Sequence, residues 1–126
     1  MRDILTCILL AALIAAMIIV PHMFVSNSSK VMTDILNRAD TAIERDNWSR
    51  AKQLCNYAME KWDGYAPVYE IATDHEAIDE IIRQLRQLCS YTQQQEKSES
   101  RELINELLFL IKHIEEMDNL RAENIL

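Results

Sequence analysis

Two polar side chains on one predicted helix have the types and the spacing to bind a proton or a metal ion. His75 and Asp79 are four residues apart in EIATDHEAIDEIIRQLRQLC (residues 70–89), so both side chains face the same side of a helix. Read in heptads, His75 lies in the middle of a seam whose other members are apolar or small: Val68, Ile71, Ile78, Ile82, Leu85 and Cys89.

The surroundings of His75 favour a structural histidine over a working one. An imidazole buried without a partner costs about 1–3 kcal/mol, so a hydrogen-bond partner across the bundle is expected. If the chain folds back at Asn47 and again at Gly64, the first and third bundle helices run parallel to each other. At equal rise per residue, His75 on the third helix is then level with Asp40 on the first. Asp40 is therefore the first candidate partner, and the alternatives nearby are Thr41, Glu44, Asn56 and Tyr57. A sensor that binds a small ligand, a proton or a metal at His75 is the functional alternative.

Neither a metal cofactor nor a catalytic reaction is predicted. Di-iron bundles repeat a Glu-x-x-His pair on two helices, and no glutamate has that relation to His75. The same folding back at Gly64 places Cys55 about 24 Å from Cys89, which is too far for a disulfide. The sequence also has no glycine-rich phosphate loop and no nucleophile turn. We therefore expect no cofactor, no catalytic residue and no enzyme.

The first part of the chain is built to lie in a membrane. Residues 4–20, the apolar segment, carry no charge, and with residues 21–25 they are long enough to cross a hydrocarbon core of about 30 Å. A cleaved signal peptide is the rival interpretation, but the apolar run is long and the basic part before it is only Arg2. Lys30 and Arg38 on the other side leave the positive-inside count undecided. A short tail before a single span favours a C-terminal domain outside the cytoplasm, so a single-pass protein of the cell membrane is predicted.

The charge of the remaining chain argues against nucleic acid as a partner. Of 13 basic and 20 acidic residues, only Arg2 and Asp3 precede the apolar segment, which leaves 12 basic and 19 acidic residues after it. An acidic module is poorly matched to phosphate backbones.

Helical periodicity and the scarcity of turn residues predict an all-α protein, with an N-terminal transmembrane helix followed by a small antiparallel helical bundle. The predicted domains are residues 1–29, the anchor with its joint, and residues 30–126, the bundle. The first bundle helix is expected to continue from the anchor through the polar joint of residues 26–29. Asp46 or Asn47 caps the second helix, Asp63-Gly64 ends it, and Pro67 begins the third. The last helix has a wide apolar stripe, on which Leu108 and Ile111 are the candidate interaction face.

These features together resemble a family of small bacterial proteins, the domain of unknown function 4363 family of spore-forming Firmicutes. The resemblance rests on the short anchor, Asp46-Asn47-Trp48-x-x-Ala51, Trp62, His75-x-x-Ile78-Asp79 and the ending Glu123-Asn124-Ile125. It implies a single-span protein with its helical part outside the cytoplasm. It lends no activity, and because members accompany a multi-span membrane protein, it implies an accessory role.

The predicted function is a membrane-anchored interaction module that packs on or regulates an integral membrane protein. The alternative is an extracytoplasmic sensor at His75. The bilayer and an integral membrane protein are the expected partners, and a second copy of the chain is the other partner left open.

Overall fold

The computed structural model describes residues 1–125, with the side chains of all but Ala72 and Ile125. The described chain forms the helices α1 (Arg2–Glu44), α2 (Trp48–Ala72), α3 (His75–Gln93) and α4 (Lys97–Ile125). Each helix packs antiparallel to the helices before and after it, and α4 also packs against α1. The all-α class and the antiparallel bundle are confirmed.

Helix α1 is far longer than its partners because it carries the apolar segment beyond the bundle. The most apolar 18-residue stretch of α1 has a mean hydropathy of 2.8, and none of it is buried in the protein. By length and composition, this part of α1 is a candidate membrane span. From Val25 onward α1 is buried on one face, and the helix continues through residues 26–29 without a break, as predicted. The proposed domain boundary at residue 29 stays a prediction.

Two of the three turns are made by residues other than glycine in the left-handed conformation. Asp46 has φ 58° and Gln95 has φ 56°, and each follows the end of a helix. After α1, the amides of Asp46 and Asn47 donate to the carbonyls of Ile43 and Ala42. The amides of Gln95 and Glu96 donate in the same way to Thr92 and Tyr91 at the end of α3. This pair of bonds is the Schellman motif, which satisfies the last free carbonyls of a helix.

The predicted boundary between the second and third helices is wrong. Helix α2 passes through Gly64 and Pro67 and ends only at Ala72, and Asp74 caps α3 by accepting from the amide of Glu76 at 3.2 Å. An interior glycine costs a helix about 1 kcal/mol and a proline about 3 kcal/mol. Trp62 and Tyr69, which lie on the same face and are each 1% exposed, bury enough apolar surface to offset that cost.

Moving this turn by about nine residues changes which side chains face each other. With the reversal at Thr73–Asp74, the position of α3 level with Cys55 is close to residue 92, three residues from Cys89. The predicted separation of 24 Å between the two cysteines is therefore wrong. His75 moves from the middle of a helix to the first residue of α3.

The core runs the length of the bundle and is formed by all four helices. Of the two predicted caps, Asn47 is the one that caps α2, with its Oδ1 accepting from the amide of Arg50 at 3.2 Å. The largest side chains with almost no exposure are Trp62, Tyr69, Met32, Leu36, Ile43, Ile78, Ile81, Leu85, Leu88, Ile104, Leu107 and Ile111.

Candidate functional site

The structure does not bury His75 or bring it to Asp40. His75 and Asp79 are both exposed in the first turns of α3. Asp40 is on α1, 15 residues beyond Val25, whose carbonyl accepts from Tyr69 near the end of α2. That interval corresponds to about 22 Å of helix, so Asp40 and His75 lie towards opposite ends of the bundle. The prediction of a core histidine bonded to Asp40 is wrong because it depended on a turn at Gly64. Whether the exposed His75 binds a ligand stays a prediction.

Asp40 instead joins α1 to the start of α4. Arg101 donates to both carboxylate oxygens of Asp40, from Nε at 2.9 Å and from Nη2 at 3.3 Å. Both side chains are partly exposed, with relative accessibilities of 42% for Arg101 and 28% for Asp40. A two-pronged pair of this kind fixes the relative orientation of the two side chains, and at the protein surface it adds little to stability. Asp40 is thus part of a structural contact.

The predicted interaction face on α4 is also revised. Ile111 is buried in the core and Leu108 is half-buried, so Ile111 is not available to a partner in this structure. The exposed apolar residues of α4 are Phe109 at 68%, Met117 at 52% and Leu120 at 54%. We call these three residues, with His113, the α4 stripe.

The α4 stripe is a continuous surface along the helix. Its members are separated by four, four and three residues, which places them on one face of an α-helix. The His113 ring stacks on the Phe109 ring, with centroids 6.1 Å apart and planes inclined by 10°. The same spacing was available in the sequence, but the strong apolar pattern of the buried face obscured it.

An acidic groove between α3 and α4 adjoins the Phe109 end of the α4 stripe. Gln84 forms part of its floor and is 6% exposed, and its Nε2 donates to Glu80 Oε1 at 2.8 Å. Within the described residues, the Oε1 atom of Gln84 is buried without a hydrogen-bond partner. The groove is lined by Gln84, Glu102, Asn105, Glu106, Phe109 and Leu110. The exposed carboxylates of Glu102 and Glu106 beside the Phe109 ring suit a partner that presents positive charge.

A second polar pair lies at the opposite end of the bundle, next to the apolar segment. His22 Nδ1 is 2.6 Å from Asp118 Oδ2, and the Asp118 side chain is 9% exposed. The groove at the pair is lined by Met17, Ile18, Pro21, His22, Ile71, Asp118, Arg121 and Ala122.

Buried hydroxyl groups of Tyr69, Ser28 and Ser29 form hydrogen bonds between α2 and α1, a few residues along α1 from His22. Tyr69 Oη lies 2.7 Å from Ser28 Oγ and 3.2 Å from Ser29 Oγ, and it donates to the Val25 carbonyl at 3.3 Å. Burial raises the pKa of Tyr69, and the bonds from the two serines partly oppose that rise. Two residues of the predicted polar joint, Ser28 and Ser29, are therefore part of the bundle interior.

The structure shows no clustered metal ligands in residues 1–125, since no group of three or more His, Cys, Asp or Glu side chains lies together there.

Comparison with known proteins gives one match. A family model described as a domain of unknown function, DUF4363, matches residues 20–125. The comparisons with curated proteins and with solved structures found no match.

Proposed function

We propose that this chain, which belongs to the DUF4363 family, is a membrane-tethered helical module that docks on an integral membrane protein. The observation that carries the proposal is the α4 stripe, an exposed apolar face on a bundle whose first helix also carries a candidate membrane span. No catalytic step is assigned to it.

The tether follows from the cost of exposing the apolar segment to water. Its side chains are exposed on all sides of α1, which is unlike a helix that covers a core. Each large aliphatic side chain transferred from water to lipid gains about 1.5–3 kcal/mol. Because α1 continues into the bundle without a linker, the bundle would stand directly on the bilayer. We place the protein in the cell membrane as a single-pass protein with its bundle outside the cytoplasm.

The chemistry of the α4 stripe indicates the kind of surface it would bind. Leu120 and Met117 lie towards the end of the bundle that adjoins the apolar segment, and Phe109 lies further away beside Glu102 and Glu106. A partner helix that leaves the bilayer would meet Leu120 and Met117 together with the exposed carboxylate of Glu116, which shares this face of α4, and then Glu106 and Glu102. The matching partner is an amphipathic segment next to a membrane span, with basic residues beside its apolar face.

Co-purification from membranes in mild detergent tests this proposal, with the tagged full chain as bait. We expect Phe109→Asp and Leu120→Asp each to lower recovery of an integral membrane partner about tenfold, equivalent to about 1.4 kcal/mol. Tyr57→Asp is the matched control, because Tyr57 is an exposed aromatic residue on α2. Circular dichroism checks that each variant folds.

Two results would contradict the proposal. One is recovery of the bait alone, and the other is a partner whose recovery is the same for the stripe variants and the control. Differently tagged copies in the same cells show whether the partner is a second copy of this chain.

A proton-sensing role is a second candidate, at His22 rather than at His75. The observation that favours it is the 2.6 Å contact between His22 Nδ1 and the nearly buried carboxylate of Asp118. Thermal melts between about pH 5 and 8 separate the two sites. A sensor at this pair predicts that His22→Gln flattens the dependence of melting temperature on pH while His75→Gln does not. Equal profiles for His22→Gln and the natural chain would exclude it.

A further inference from the structure

The three cysteines of this chain occupy different environments. Cys7 is exposed in the apolar segment, Cys55 is buried on α2, and Cys89 is half-buried on α3. All three are free thiols in the structure. Cys55 and Cys89 both belong to the side chains that pack in the core between α2 and α3.

The register of the α2–α3 hairpin places these two cysteines next to each other. The reversal at Thr73–Asp74 is about 18 residues after Cys55 and about 16 residues before Cys89. Along packed antiparallel helices, this difference of two to three residues displaces the two cysteines along the helix axis by only about 3–5 Å. The two thiols are close enough for each to shift the pKa of the other. The Thr92 hydroxyl donates to the Cys89 carbonyl at 2.9 Å.

The two thiols differ in pKa and in accessibility, so they are expected to react with an oxidant one after the other. The hydrogen bond from Cys55 lowers the pKa of Cys89, whereas the same bond together with burial raises the pKa of Cys55. Cys89 is also the more accessible of the two. The half-exposed Cys89 therefore meets an external oxidant first, and the buried neighbour Cys55 then resolves the product.

We propose that Cys55 and Cys89 are a dithiol site that oxidises to an intramolecular disulfide joining α2 to α3. The oxidant is a disulfide, either a small molecule or the active site of a thiol–disulfide oxidoreductase. The Cys89 thiolate attacks one sulfur of that disulfide, so a mixed disulfide forms and one thiolate leaves. Cys55 then loses its proton and attacks the Cys89 sulfur, which releases the second thiolate. Overall the two cysteine thiols lose two protons and two electrons, and the oxidant takes up both to become two thiols.

The disulfide would lock the half of the hairpin that lies furthest from the apolar segment. Cys55 and Cys89 are close to the turns that begin α2 and end α3, whereas the α2–α3 turn itself is at the other end of the bundle. The crosslink therefore closes the open end of the hairpin. Its formation does not depend on the proposed docking partner.

Oxidised glutathione is the probe that tests this proposal, applied to the full chain in mild detergent. Cys7→Ser is the background, so that Cys55 and Cys89 are the thiols under test. After denaturation and alkylation with N-ethylmaleimide, we expect the oxidised chain to be two hydrogens lighter and to carry no maleimide. Trypsin should release residues 53–61 linked to residues 87–97. The untreated chain should carry two maleimides, and the oxidised chain should melt several degrees higher.

Single replacements in this background test the order of the two steps. In Cys55→Ser, glutathione should attach to Cys89 and remain there, because no resolving thiol is present. In Cys89→Ser, Cys55 should stay unmodified while the chain is folded. A lasting glutathione adduct on Cys89 when both cysteines are present would overturn the proposal. Exclusively intermolecular Cys89 dimers, or two free thiols under conditions that modify Cys55→Ser, would also overturn it.

Discussion

Replacing Gly64 by alanine should stabilise the bundle. Gly64 lies inside α2, and a Cβ added there would meet no atom within 4 Å. An interior helical glycine costs about 0.5–1 kcal/mol relative to alanine, through the freedom that it gives the unfolded chain. In a bundle of about 100 residues, 1 kcal/mol corresponds to about 4–8 °C, so we expect Gly64→Ala to raise the melting temperature by roughly 2–8 °C. Near-ultraviolet circular dichroism in mild detergent follows the change through the buried Trp62.

Gly64→Asn is the matched control, because asparagine and alanine rank in opposite order in the two backbone conformations at issue. These are the interior of a helix and the left-handed position after the end of a helix. In a helix interior asparagine is a poorer residue than alanine, by about 0.5 kcal/mol or more. In a left-handed position after a helix, asparagine would be the better of the two. The structure therefore predicts that alanine exceeds asparagine in stability. The opposite order, with alanine destabilising, would mean that α2 ends at Gly64 and that the helix register described above is wrong.

Three further changes test other parts of the bundle. Tyr69→Phe removes a buried hydroxyl with three oxygen partners on α1. Thermal or denaturant unfolding should show that the free energy of unfolding falls by about 1–2 kcal/mol. Tyr57→Phe is the control, and because Tyr57 is exposed, it should change that free energy by less than about 0.5 kcal/mol. Gln95→Gly relieves a left-handed backbone that costs a residue with a Cβ about 1–2 kcal/mol, so a gain of up to about 1 kcal/mol is expected, and a loss would contradict the Schellman turn. Hydrogen bonds, first from Arg83, lower the pKa of Glu80. Stability from such a carboxylate is present above its unfolded pKa and is lost as the pH falls through its folded pKa. Glu80→Gln should therefore make the melting temperature less sensitive to acid below about pH 4.5, and an unchanged acid profile would count against this ion pair.

Local sequence signals predicted the elements of this fold well where they agreed with packing. The cap at Asn47 accepts from the predicted helix, and α1 continues through Ser28 and Ser29 because no glycine or proline interrupts it there. The buried apolar positions of α4 follow the helical period, as expected for a helix that covers a core.

The same signals failed where packing outweighed local preference. Gly64 and Pro67 predict the end of a helix, but the buried side chains of Trp62 and Tyr69 hold α2 together across both residues. The actual turns after α1 and α3 use Asp46 and Gln95, which are less recognisable than glycine in a left-handed position.

One misplaced turn then displaced the candidate site. The register of a helical hairpin is counted from its turn, so an error of about nine residues moves each predicted contact by several turns of helix. In the structure, His75 is therefore exposed and not in the core, and Asp40 pairs with Arg101 and not with His75. Cys55 lies close to Cys89 and not 24 Å from it. The Asp74 cap was the signal that would have placed this turn correctly.

Solvent accessibility of spin labels along α1, in lipid vesicles, tests most directly whether one helix both lies in the bilayer and forms the bundle. Single nitroxide labels replace the exposed residues Leu9, Leu13 and Met17 of the apolar part and Asn37 and Thr41 of the bundle part, in a chain without its native cysteines. Collision with oxygen, which concentrates in lipid, should dominate at the first three positions. Collision with a water-soluble nickel complex should dominate at Asn37 and Thr41. Access of the nickel complex to all five positions would contradict the membrane tether on which the proposed function depends.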